Sequence, residues 1–214
     1  MSPKYYIVEY KMSSSLDDDS SDNYISCYNG NIIEKDIDTE QEYLIGKLEL
    51  NLIHLSRAYD NNFSIPEIFD YDKQIMSMAK YIYDIEQADF NNKILNFFDN
   101  VYVSSDICLL RQIEIVESHR GKGVGTKVIK DIFDRFCNCC GLFVVEAYPM
   151  QFNSETTNRL DTKELAWAKR LNYDALSKDF EKSFYKLKAF YQKSGFHHIE
   201  GFDEWMFINP GIRM

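Results

Sequence analysis

The chain has 214 residues, of which 34 are acidic and 24 are Lys or Arg, giving a formal charge of −10 at pH 7. That length suits one domain with room for an insertion, and 45% apolar with 15% aromatic content supplies a sizeable core and excludes collagen-like, coiled-coil and fully disordered chains. An acidic surface repels phosphate backbones, which disfavours a general nucleic-acid binder and favours a cationic or amine partner.

The N-terminal stretch MSPKYYIVEYKMSSS lacks the apolar core of a secretory signal, and nothing downstream reaches the roughly 20 apolar residues of a membrane span. No membrane association and a cytoplasmic location are therefore expected. Tyr5 to Tyr10 is a short β-rich run, and the polar tract from Ser13 to Asn23 reads as a flexible loop. Asn29-Gly30 lies between YISCY and NIIEKDI, a dipeptide suited to a tight hairpin joining two antiparallel strands. From Tyr43, Leu44, Leu48, Leu50 and Leu52 fall on one face of a third, longer strand.

Pro66 opens a helical segment in which Ile68, Ile75, Ala79, Ile82 and Tyr83 recur at helical spacing, and FNNKILNFFDN follows as a less regular segment. Asp106 to Val116 is apolar at first and then alternates, as expected of a central strand covered on both faces. After the turn ESHRGKGVGT comes the clearest helix, with Val124, Val128, Ile129, Ile132, Phe133 and Phe136 in one stripe. GLFVVEAYP is a further buried strand that Pro149 stops. Asp161 to Glu164 has the pattern of a capping box, so a helical insertion begins there and runs towards Asn172. Ser177 is placed to cap a last helix that carries Phe180, Phe184, Leu187 and Tyr191 and stops at Gly195, before a closing strand pair in FHHIEGF and EWMFINP.

A strand, then RGKGVGT, then an amphipathic helix is a physical recipe for a diphosphate site. Glycines permit close backbone approach, N–H groups converge, and the helix N-terminus adds its positive dipole end. Lys122 and Arg120 make this spot locally basic. The alternative is a glycine-rich turn without a ligand. A P-loop does not fit the spacing, and the dinucleotide fingerprint fits in part only, with Thr126 where its third glycine belongs.

Arg120-Gly121-Lys122-Gly123-Val124-Gly125 matches the pattern Q/R-x-x-G-x-G/A, and Phe190-Tyr191-Gln192-Lys193-Ser194-Gly195-Phe196 is an aromatic-Tyr-x-x-x-Gly-Phe element. With these two motifs in order, the sequence from about Asp106 onward resembles the GCN5-related N-acetyltransferase superfamily. The resemblance implies an α/β (α+β) fold: a mixed, mostly antiparallel sheet with splayed central parallel strands, flanked by helices. It implies a single domain over 1–214 with a helical insertion at about 151–177. The implied cosubstrate is acetyl-CoA and the implied reaction is acetyl transfer to an amine in a ternary complex. The alternative is a non-catalytic acyl-CoA-binding regulatory module.

In the family, backbone amides of the loop bind the pyrophosphate, which here means Arg120, Gly121, Lys122, Gly123, Val124, Gly125 and Thr126. Ile113, Ile115 and Val116 take the positions whose backbone pairs with the pantetheine arm. Tyr191 matches the tyrosine that protonates the departing thiolate, a role open to a phenol because it is neutral at pH 7. The base that accepts the amine's proton is expected to be Glu114, with Glu146 second, or an ordered water. Some relatives carry their base at positions occupied here by Leu109 and Arg111, and Phe184 stands where many carry an Asn.

The expected partner is an amine-bearing, cationic small molecule or peptide, with a second copy of the chain in a homodimer as an open option. No metal is expected. Cys137, Cys139 and Cys140 sit at a helix end and would need a distant further ligand, adjacent His197 and His198 point to opposite strand faces, and an odd total of five cysteines fits reduced thiols.

Overall fold

A computed structural model describes residues 3–15, 20–153 and 162–212. Three long strands come first: β1 (Lys4–Ser13), β2 (Ile25–Asp36) and β3 (Glu42–Ile53). Short helices α1 (Leu55–Asp60), α2 (Ile65–Phe69) and α3 (Lys73–Ile82) follow, then a two-stranded ribbon of β4 (Tyr83–Asp84) and β5 (Asp89–Phe90), and α4 (Asn92–Phe97). The second half comprises β6 (Ile107–Ile115), α5 (Val124–Phe136), β7 (Leu142–Glu146), α6 (Thr162–Leu171), α7 (Phe180–Lys193), β8 (His197–His198) and β9 (Trp205–Ile208).

Seven strands form one sheet in the order β1-β2-β3-β6-β7-β9-β8, antiparallel throughout except for the central β6–β7 pair. The fold is thus a mixed α/β arrangement with a mostly antiparallel sheet. Alternation along the strands sends Leu48, Leu50, Cys108, Leu110 and Val145 to one face, where they meet the stripe of α5. Ile53, Ile107, Leu109, Leu142 and Val144 go to the other, under α1 to α4. Each Leu or Ile so buried contributes about 1.5–3 kcal/mol, and β6 and β7 are covered in this way on both faces. Among the described residues, no helix is long and apolar enough to cross a membrane.

Several local expectations change. Asn29-Gly30 is no hairpin: β2 runs straight through it, with Gly30 paired to Tyr10 on one side and Leu48 on the other. A Cβ on Gly30 would lie 2.6 Å from Leu48 Cγ, so this glycine makes room for a core leucine and turns nothing. The helix expected from Pro66 is interrupted, because Asp72 accepts from the N–H groups of Gln74 and Ile75 and starts α3 anew. Asp179, in place of Ser177, caps α7 by accepting from Lys182 N–H at 3.0 Å. The capping box at Asp161 and part of the polar tract after Ser13, residues 16–19, lie outside the described residues, as do 154–160 of the insertion.

Two irregularities of β6 position the site. Its parallel ladder with β7 runs from Ile107–Leu142 to Leu110–Val145 and stops there, while β6 continues to Ile115 against β3. At the same point Leu110 pairs with Leu50 and Gln112 with Glu49, so Arg111 is a bulge with no partner on β3.

Candidate functional site

Beyond Leu110 the strands part, and β6 presents one bare edge. Val116 N–H donates to the Ile45 carbonyl at 2.9 Å. Alternate residues of an antiparallel strand bond to the same neighbour, so the backbone groups of Glu114 face β3 while those of Ile113 and Ile115 face the edge that β7 has left. Both backbone groups of Val116 are engaged, since its carbonyl accepts from His119 N–H.

The strand leads through a short 3-10 turn, Glu117–His119, into the glycine loop. Gly121 and Gly123 adopt φ of +73° and +77°, the left-handed region that favours glycine, and Gly123 is the N-cap of α5. An N-cap without a side chain leaves the first-turn amides of α5 uncapped by their own helix. Lys122, Thr126 and Lys127 are exposed around them. His119 ties the turn to the body: its Nε2 lies 3.2 Å from a carboxylate oxygen of buried Glu34, which also accepts from Lys4 Nζ at 2.7 Å. The Lys4 bond is the main reason the Glu34 carboxyl is held below the ordinary range.

Gly125 permits the next contact. A Cβ there would lie 3.0 Å from Phe190 Cζ and 3.4 Å from Cε2, so the missing side chain lets α7 lie against the start of α5. Gly125→Val is expected to push Phe190 aside at a cost of about 1–3 kcal/mol, read as a fall of several degrees in Tm by calorimetry. Tyr191 follows Phe190, buried in the core on the α5 side with its ring against those of Phe190 and Phe196. Among the described residues nothing hydrogen-bonds its hydroxyl, and burial pushes the phenol far above its usual range, so it stays protonated.

Arg120 turns away from the loop mouth. Its Nε donates to the Ile115 carbonyl at 2.9 Å, its Nη2 to the Leu171 carbonyl, and its guanidinium lies over the Tyr173 ring at 5.4 Å. The loop's outward positive charge therefore rests on Lys122 and Lys127. Glu114 sits on the face opposite α5, and both of its oxygens accept bonds from the segment around α6: Trp167 Nε1 at 2.7 Å and the Tyr173 hydroxyl at 3.1 Å. Trp167 in turn lies between Lys47 and Arg170, 4.7 and 5.2 Å from its ring. Glu114 is thus one of the anchors of the insertion, together with Arg120 and Glu117.

Glu146, the last residue of β7, is the first past the end of the parallel ladder. It faces α3, where Gln74 Nε2 donates to it at 3.0 Å. Burial raises its carboxyl above the ordinary range and Glu204 adds to this, while the Gln74 bond opposes it. Across the fork, Arg111 is ion-paired with Asp72, the cap of α3. The structure therefore gathers the loop, Ile113, Ile115 and Tyr191 on the α5–α7 side, and sets Glu146 and Glu114 on the other.

No family model matches the chain, and no curated protein matches it significantly.

Proposed function

We propose that the protein is an acyltransferase of the GCN5-related kind, moving acetyl from acetyl-CoA to a cationic amine. The observation that carries this reading is the early end of the central ladder: β6 runs five residues past its last rung with β7 and leads to an uncapped helix N-terminus. A bare strand edge suits a ligand arm built from amides, and converging N–H groups at a helix start suit a diphosphate, so the two together fit coenzyme A in sequence. Ile113 and the N–H of Ile115, whose carbonyl is already taken by Arg120 Nε, would pair with the arm, and the amides from Gly121 to Thr126 would hold the diphosphate beside Lys122.

The thioester supplies an activated acyl carbon; the protein's own groups manage the protons. A cationic amine must lose a proton before its nitrogen can form the new C–N bond. Glu146 is the better placed of the two carboxylates to accept it, because among the described residues no cation pairs with it and its basicity is raised, whereas Glu114 holds two donors already. As the C–S bond breaks, Tyr191 would donate its proton to the sulfur. The acidic excess of the rest of the surface draws the cation in.

Calorimetry with acetyl-CoA and a screen of its consumption against small amines, aminoglycosides and peptide N-termini test the proposal. Binding without transfer to any amine would make the chain a coenzyme-binding module, and no binding would remove the reading altogether. Glu146→Gln is expected to lower turnover by about 10²–10⁴-fold. The same change should raise Tm at pH values above the ordinary carboxyl range. A carboxyl whose folded pKa is raised stabilises the fold only while protonated, so its disadvantage grows as pH climbs through that window and vanishes at low pH.

A further inference from the structure

The fork between β6 and β7 is bridged from one side by a single helix turn. Asp72 and Gln74 lie two residues apart at the start of α3. Asp72 pairs with Arg111, the bulged residue of β6 immediately past the last rung, and Gln74 donates to Glu146, the residue of β7 immediately past the same rung. Asp72 also accepts from the amides of Gln74 and Ile75 at 2.9 Å each, so one carboxylate joins the cap of the helix to the strand.

We infer that the first turn of α3 is a clamp that sets the opening of the fork and orients the Glu146 carboxylate, with Asp72, Gln74 and Arg111 as its positioning residues. The bulge is what makes this reachable. It is the extra residue in β6, so Arg111 leaves the ladder and turns to the helix face shared with Glu146. A cation there would hold Glu146 ionised and weaken it as a base. Asp72 takes that charge up, and Glu146 instead receives a neutral amide donor. Glu204, just ahead of β9, is the charged group acting on Glu146 from the remaining side, and its like charge pushes in the opposite sense. The catalytic half of this inference rests on the reading of Glu146 as proton acceptor; the clamp itself does not.

Two variants separate a clamp from simple packing. Gln74→Leu keeps the bulk and removes the donor, so the ¹³C NMR titration midpoint of Glu146 should move up. The acidic limb of kcat/KM should move with it, with acetyl-CoA affinity unchanged within about twofold. Gln74→Ala gives the same reading should Gln74→Leu fail to fold. Asp72→Asn retains an Ncap side chain but loses the partner of Arg111, so hydrogen exchange of the Glu114 and Val116 amides, which face β3, should quicken by about tenfold. An unmoved Glu146 titration in Gln74→Leu, or unaltered exchange in Asp72→Asn, overturns the clamp. If the wild type transfers to no amine, the functional reading falls, while the titration and exchange still decide the clamp.

Discussion

Gly123→Asp is expected to weaken coenzyme A binding by a hundredfold or more while leaving the protein folded. Gly123 has φ +77° and nothing within 4 Å of where a Cβ would stand, so the side chain has space and the penalty is confined to the backbone, about 1–2 kcal/mol. Asp is among the residues that tolerate the left-handed region best, and a carboxylate at a helix N-terminus recovers part of that cost from the dipole. The effect on the ligand is the reverse. The new carboxylate stands against the first-turn amides of α5 and repels the diphosphate that would use them. Gly123→Asn, with the same shape and no charge, should lose far less. Calorimetric titration with coenzyme A reads both, and unaltered affinity in Gly123→Asp would reject the loop as the diphosphate site.

What the sequence made legible divides by distance along the chain. The loop, α5 and the Phe190 to Phe196 element are local: a glycine turn, a helical stripe and a stop at Gly195 are written in consecutive residues. Asn29-Gly30 misleads for the same reason. Its local preference for a turn is overridden by Leu48, which arrives from another strand and occupies the space above Gly30. The hydrogen bonds of Glu114 were not legible because its partners, Trp167 and Tyr173, lie beyond the next helix and strand. Gln74 gave no signal at all. A polar residue in the first turn of a short helix is ordinary, and only the fold brings it to Glu146, 72 residues away. Arg111 is a position where the resemblance read from the sequence breaks off, and the bulge gives it a physical setting: the position no longer faces as its neighbours do.

Tyr191→Phe is the sharpest separation of chemistry from structure that this site offers. Core tyrosines generally anchor their hydroxyls, so their loss destabilises; Tyr191 has no such anchor among the described residues, and its ring contacts with Phe190 and Phe196 survive the change. Removing one oxygen should therefore leave Tm unchanged or slightly higher. Turnover of acetyl-CoA with the working amine should nonetheless fall by about 10²–10⁴-fold, and the loss should appear in kcat rather than in coenzyme affinity, because the donor acts on charge that develops only in the transition state. Burial keeps the phenol protonated well past neutrality, so the wild type should show no alkaline limb from Tyr191 anywhere in the range where the protein is active. A variant that keeps full turnover would remove Tyr191 from the chemistry and return it to the apolar stripe of α7. Full turnover together with a large fall in Tm would assign the hydroxyl a structural partner instead.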